Sequence, residues 1–264
     1  MAPEAFAAPL FDPLRRWLER LPSGADGRPD TAALAALAER FPILAPNGRR
    51  IRFAPPRADG LAYECRIRDS AEVETRLGNW HDFFNALVWL TFPQAKRILS
   101  GRHAQAMDPA GTARGVARDA LTHFDECGIV VLSSQSDLLD LLRDFKWKAL
   151  FADRRVDVQR AMRFVVFGHA TYEALLNPFR GLTAKAILHA VDESWLNLPA
   201  TAQLAAVDTL LAADLAGDRY TRPRDFQPLP LLGIPGVTPD SDDPAYYDDT
   251  WQFRPGRRAS KKAA

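Results

Sequence analysis

The chain has 264 residues, a formal net charge of +1, 47% hydrophobic residues and 25% charged residues. These values are typical of a globular protein that is long enough to bury a core without disulfide staples. The near-neutral charge argues against binding of nucleic acid or a membrane through whole-protein electrostatics. We therefore expect no membrane partner and no nucleic acid partner, although the net charge does not exclude nucleic acid binding through a local basic patch.

The two cysteines, Cys65 and Cys127, lie in no CxxC pair. So few cysteines favour a reducing compartment over a disulfide framework. The first 21 residues do not have the basic and apolar regions of a signal peptide, and no run of about 18 apolar residues is present. These features together predict a cytoplasmic protein without a transmembrane helix.

The N-terminal part of the chain is predicted to hold two short helices, at 12–21 and 31–41. Between 50 and 68, RIRF and LAYECRIR alternate in polarity around the loop PPRADG, and this pattern predicts a β-hairpin.

The clearest predicted helix spans 79–91, with Asn79 as N-cap and Asp82 in the first turn. Pro93 ends this helix and starts another one over 94–106. The segment 120–134 is predicted as two strands joined by a turn at Asp125–Gly128. Further helices are predicted at 138–151, 157–176, 181–191 and 201–217.

These elements predict an α+β fold that is predominantly helical, with a small antiparallel sheet or hairpins packed on a helical core. We expect a single globular domain over 1–220, in which 1–50 forms peripheral helices. Residues 221–255 are rich in Pro, Gly and Asp and are predicted to be an extended wrapping tail. Residues 256–264 are predicted to be a disordered basic end.

Four segments of the chain resemble motifs that occur in the same order in a known family. They are NWHDFFNALVWLTFPQAK, RDALTHFDECGIVVL, FGHATYEALLNPFRGLTAKA and PLPLLGIPG. Over about residues 60–255 the chain resembles the bacterial domain of unknown function 3025 family. The resemblance implies a cytoplasmic bacterial protein, and it supplies no activity, substrate or site residue.

Two predicted apolar helices each carry a polar pair one turn apart. His81 and Asn85 form the first pair, and His169 and Glu173 form the second. Buried polar groups cost about 1–3 kcal/mol when they lack a partner. We therefore expect the two pairs to face each other, with His81 or His169 as general base, Glu173 orienting it, and Asn85 and Asp82 nearby.

Several other residues are candidates for binding the substrate. Arg76 and Lys185 are cations close to the apolar helices, and Asp119 or His123 would reach the cluster from the predicted hairpin. Gly168 costs helix stability, which indicates close approach of another backbone or of a ligand at that point.

The sequence leaves three interpretations of the cluster open: a structural polar network, a metal-free catalytic site, or a site for zinc, iron or manganese. No metal-ligand set is assigned, because HExxH and zinc-finger spacings are absent. Phosphate-loop, GxGxxG and GxSxG motifs are also absent. The predicted function is an enzyme, hydrolytic in character, that acts on a small anionic or ester-like substrate. The alternative is a non-catalytic binding or scaffold protein whose polar pairs only fix helix packing.

Overall fold

The computed structural model describes residues 4–21, 30–106 and 114–256. The α-helices are α1 (Arg15–Leu18), α2 (Thr31–Arg40), α3 (Tyr63–Ser70), α4 (Trp80–Thr91), α5 (Pro93–Ala106), α6 (Arg114–Cys127), α7 (Ser136–Arg143), α8 (Arg155–Ala161), α9 (His169–Ala174), α10 (Glu193–Leu196) and α11 (Ala200–Ala216). The strands are β1 (Arg52–Ala54), β2 (Glu72–Glu74), β3 (Gly128–Ser133), β4 (Met162–Val166), β5 (Thr183–Ala190) and β6 (Gln227–Pro230). Short 3₁₀ segments and a π-helical turn at Ala149–Asp153 connect them.

The larger sheet has four strands in the order β4-β3-β5-β6. Strand β3 runs antiparallel to β4 and parallel to β5, and β5 runs antiparallel to β6. All six residues of β3 are buried, which is typical of a central strand covered on both faces. The smaller sheet pairs β1 with β2 in parallel. The predicted α+β fold with a helical majority is confirmed, but the main sheet is mixed rather than antiparallel.

The predicted hairpin at 50–68 is wrong in its second half, because Tyr63–Ser70 is helix α3. Arg66 and Ile67 are neighbours in sequence and are both buried. A strand alternates its faces and does not bury adjacent residues on one side, whereas a helix does. The guanidinium of Arg66 is compensated by Glu74 and Asp59.

The prediction of a strand, turn and strand over 120–134 is also wrong, because the first half is the end of α6. Its buried side chains Ala120, Leu121 and Phe124 follow the spacing of one helix face. Asp125 and Glu126 therefore lie in the last turn of a helix and not in a hairpin turn.

Two of the predicted helices are wrong, because one includes a strand and the other is replaced by a strand. Residues 162–166, in the middle of the predicted helix 157–176, form β4, and the predicted helix at 181–191 is β5. Short apolar runs such as FVVF cannot be assigned to helix or strand by periodicity, and pairing with the buried strand β3 decides both cases.

The ends of the described chain pack on the same core. Leu10, Phe11, Leu14 and Trp17 are each at most 2% exposed, although the sequence places 1–50 at the periphery. In the predicted tail, 227–230 is the edge strand β6 of the main sheet. The predicted basic end lies outside the described residues from 257 onward. No helix of the described residues is both long and apolar enough to cross a membrane.

Candidate active site

His81 is placed by the first turn of α4. The Asn79 side chain caps this helix by accepting a hydrogen bond from the backbone N–H of Asp82 at 2.9 Å, as predicted. The residues from Asp82 to Thr91 are all buried, so the helix is fixed on nearly every face. His81 lies at the exposed end of this buried helix, and its side chain is 32% exposed.

His169 begins α9, and Gly168 precedes it as N-cap. A Cβ atom at Gly168 would lie 2.4 Å from the carbonyl oxygen of Glu126 and 2.5 Å from the Cα atom of Cys127. Only glycine therefore permits the end of α6 to lie against the start of α9. The expectation that another backbone approaches Gly168 is confirmed, and this approach brings Glu126 beside His169.

Two imidazoles and one carboxylate converge where α4, α6 and α9 meet. The Nε2 atoms of His81 and His169 are 3.0 Å apart. Glu126 Oε2 lies 3.9 Å from Nε2 of His81 and 3.6 Å from Nε2 of His169. Within the described residues these three side chains form the one group that brings at least three potential metal-ligand atoms within 4.8 Å of one another. We call His81, Glu126 and His169 the ligand triad.

In addition to Glu126, a further carboxylate faces the Nδ1 atom of each imidazole ring. Glu173 Oε2 is 3.1 Å from Nδ1 of His81. His169 Nδ1 is buried, lacks a hydrogen bond of ordinary geometry in the described part of the chain, and faces Asp125, whose Oδ1 is 3.9 Å away. An ionised carboxylate only accepts hydrogen bonds, so it favours the tautomer with the proton on Nδ1 in each ring.

This choice of tautomer creates an electrostatic conflict inside the triad. With Nδ1 protonated in both rings, the two Nε2 lone pairs point at each other across 3.0 Å. A positive charge between them, either a proton or a metal ion, removes the conflict. The neighbouring carboxylate of Glu126 adds to the attraction for a cation.

Burial controls the charge of the inner histidine. Desolvation lowers the pKa of His169 to about 3, although the nearby Asp125 carboxylate opposes this shift. The ring is therefore neutral near pH 7 and keeps one lone pair free. Burial also raises the pKa of Glu126, and the charge of His81 opposes that rise.

A buried lysine holds Asp125 in place. Lys96 Nζ lies 2.6 Å from Asp125 Oδ1 and 2.9 Å from Asn85 Oδ1, and its side chain is 3% exposed. Burial would raise the pKa of Asp125, but the charge and hydrogen bond of Lys96 keep the pKa below its ordinary value. Asn85 in turn donates to the Tyr63 hydroxyl at 2.8 Å.

The triad forms part of the wall of an open cavity of about 540 Å³, which we call the central cleft. Glu64, Arg76, His103 and Arg118 also line it. Arg76 donates to both carboxylate oxygens of Asp82, each at 2.8 Å, so its charge is already compensated.

Most of the predicted catalytic residues meet in this cleft. His81 and His169 line the cleft, and His81 contacts both His169 and Glu173, of which Glu173 is not part of the cleft wall. Asn85 and Asp82 line the cleft but are engaged by Lys96 and Arg76.

The predicted substrate-binding residues divide differently. Arg76 lines the cleft. Lys185 lies on β5, and Asp119 and His123 lie on exposed positions of α6, so these three side chains are not part of the cleft wall.

The sequence pattern places Glu126 in a turn and assigns no role to Lys96 or Glu64. The signal that could have found Glu126 is the helical spacing of Ala120, Leu121 and Phe124, which continues to the DEC run. A lone lysine or glutamate in a helix gives no comparable signal.

Fold and site together define an α+β protein with a two-histidine, one-carboxylate cluster at the wall of an open polar cleft. The chain matches the family described as Protein of unknown function (DUF3025) over residues 51–257 and belongs to it. No curated protein and no solved structure matches the chain.

Proposed function

We propose that this chain is an intracellular hydrolase that depends on one divalent metal ion, held by His81, Glu126 and His169. The observation that carries the proposal is the 3.0 Å separation of the two histidine Nε2 atoms, with the Glu126 carboxylate beside both. Two histidines and one carboxylate are a ligand set used by catalytic zinc sites.

The distances support a single ion. Zinc ligands lie about 2.0–2.1 Å from the ion, so two ligand atoms at the tetrahedral angle are about 3.3–3.4 Å apart. The two Nε2 atoms are 3.0 Å apart, so a separation of a few tenths of an ångström would admit the ion. Glu126 Oε2 is slightly farther away, and the side chain of Glu126 is 40% exposed, which leaves it free to move toward an ion.

The surroundings support a catalytic rather than a structural ion. Histidine ligands in metal sites commonly donate their second N–H to a carboxylate or carbonyl. Glu173 has this position beside His81 at 3.1 Å, and Asp125 faces Nδ1 of His169 from 3.9 Å, beyond hydrogen-bond distance. Structural zinc sites are closed by four protein ligands, whereas catalytic sites keep a position open. The partial exposure of His81 and Glu126 leaves such a position facing the cleft.

A divalent ion supplies two kinds of chemistry at such a site: it lowers the pKa of a bound water and polarises a carbonyl oxygen. In this chain, Glu173 and Asp125 favour the tautomers of His81 and His169 that carry the proton on Nδ1. The polar cleft would accommodate a small substrate. Because Asp82 already compensates Arg76, we favour an ester-like substrate over one recognised by a negative charge at Arg76.

Zinc titration tests this proposal directly. Calorimetry of the metal-free full chain with zinc chloride is expected to give one site per chain, lost in His81→Ala and in His169→Ala. The matched control is His189→Ala, because His189 pairs with Asp214 at 2.7 Å away from the cleft. Absent binding, or equal binding by all three variants, would contradict the proposal and favour the non-catalytic alternative. Variants of the polar pairs would then only lower stability.

A further inference from the structure

A hydrolase of the proposed kind also needs a group that delivers a proton to the leaving oxygen, and the cleft contains several carboxylates. Most are already engaged: Asp82 by Arg76, Glu74 by Arg66, and Asp125 by Lys96. Glu126 belongs to the ligand triad, and Glu173, which pairs with His81, is not part of the cleft wall. A carboxylate in an ion pair is held ionised and cannot donate a proton.

Glu64 is the exception among the described cleft residues. It lies in the first turn of α3 and lines the cleft. It accepts one hydrogen bond, from the Ser100 hydroxyl at 3.2 Å, and no described cation lies within 4.0 Å of it. Burial and the negative charge of Asp125 both favour its neutral form.

We propose that Glu64 is the proton-transfer residue of this cleft and protonates the leaving oxygen of an ester substrate. This inference rests on the proposed hydrolase. Water adds through its oxygen to the ester carbonyl carbon. The bond from that carbon to the leaving oxygen then breaks, its electron pair stays on the oxygen, and the Glu64 proton binds there. The proton released by the attacking water returns to Glu64, so acid and alcohol are formed and Glu64 ends protonated.

The environment suits this role near neutral pH. Burial and Asp125 raise the pKa of Glu64 to about 7, while Lys96, Ser100 and Arg118 oppose the rise. A general acid works best when its pKa is close to the operating pH. The charged and titratable groups around Glu64 are Lys96 and His103 on α5, Asp125 and Arg118 on α6, and Tyr63 on α3.

The test compares two esters with the zinc-loaded full chain. Phenyl acetate has the more basic leaving oxygen, whose departure gains more from a proton, whereas the p-nitrophenolate of p-nitrophenyl acetate leaves readily without one. Glu64→Gln is expected to slow phenyl acetate hydrolysis about 100-fold or more and p-nitrophenyl acetate hydrolysis only a few-fold. Asp69→Asn, on the same helix but outside the cleft, is expected to change neither rate. Equal losses on both esters, or no loss, would overturn the role of Glu64.

Ser100→Ala adds a readout that a purely structural role would not change. The Ser100 hydrogen bond favours ionised Glu64, so its removal raises the pKa of Glu64 further. The decline of phenyl acetate turnover on the alkaline side is then expected at higher pH than in the wild type. An unchanged pH profile contradicts the inference.

Infrared titration separates this inference from the proposed function. If the zinc-loaded wild type hydrolyses neither ester, the ester part of the proposed function fails. Glu64 is still tested, because a protonated carboxyl signal at about pH 6 should be present in the wild type and missing in Glu64→Gln. Without that signal Glu64 is ionised, and the inference is overturned.

Discussion

His81 Nε2 lies 3.0 Å from His169 Nε2, although 88 positions separate the two residues in the chain. One ring comes from the first turn of the buried helix α4 and the other from the first turn of α9. A carboxylate faces Nδ1 of each ring, and the Glu126 carboxylate lies beside the Nε2 atoms of both rings. This arrangement attracts a cation, and its consequences can be measured.

The two glutamates near His81 should contribute differently to zinc binding. Glu126→Gln removes a ligand and is expected to weaken zinc affinity at least about 100-fold, whereas Glu173→Gln removes only the support of His81 and should cost about 10-fold to 100-fold. Calorimetric titration measures both. A larger effect of Glu173→Gln, or no effect of either variant, would show that the ligand assignment is incorrect.

Gly168→Ala tests the close approach of α6 and α9. The new Cβ would meet backbone atoms of Glu126 and Cys127 at 2.4–2.5 Å, so the two segments must separate. We expect a loss of about 1–3 kcal/mol in the free energy of unfolding, together with weaker zinc binding. Urea denaturation and calorimetry measure these changes. Gly115→Ala is the control, because its Cβ would meet nothing within 4 Å, and its stability should stay the same or rise slightly. Equal effects of the two changes would contradict the packing argument.

Lys96 should stabilise the fold through Asp125. Lys96→Met leaves the Asp125 carboxylate buried without a cation, and we expect a loss of about 3–5 kcal/mol in the free energy of unfolding. Lys96→Met combined with Asp125→Asn should lose less than Lys96→Met alone, because no uncompensated charge remains. Denaturation of the single and double variants gives this coupling energy. Simple additivity of the two changes would mean that the ion pair is not coupled.

Glu64 predicts a pH dependence of stability in the metal-free protein. Burial raises its pKa from 4.5 to about 7, so the folded chain binds this proton more tightly than the unfolded chain does. The stability from this proton is complete below pH 4.5 and is lost as the pH rises to about 7. Over that interval Glu64→Gln should gain on the order of 2 kcal/mol relative to wild type. A constant or falling difference in unfolding free energy would contradict the assignment.

The sequence predicted the helical character of the fold and two of the three members of the ligand triad, His81 and His169. The capped helix at Asn79 and the polar pairs on α4 and α9 could be recognised, because an apolar helix with buried polar groups requires partners for them. The contact of His81 with His169 and Glu173 follows that expectation.

The remaining features depend on tertiary contacts. The apolar runs 162–166 and 183–190 become strands because they pair with β3. The local spacing of apolar residues does not predict that pairing. Glu126 reaches the histidines because Gly168 admits the backbone of α6, which is a contact between distant segments. Lys96 acquires its role from burial against Asp125, and Glu64 from burial in the cleft wall. Single-sequence periodicity reveals neither.

One divalent ion is proposed to bind between His81, Glu126 and His169, and a crystal of the full chain grown with zinc and measured at the zinc absorption edge would reveal its position. We expect one anomalous peak per chain, about 2.0–2.1 Å from Nε2 of both histidines and in contact with the Glu126 carboxylate. A fully occupied zinc peak elsewhere, or two imidazoles still 3.0 Å apart with no peak between them, would contradict it.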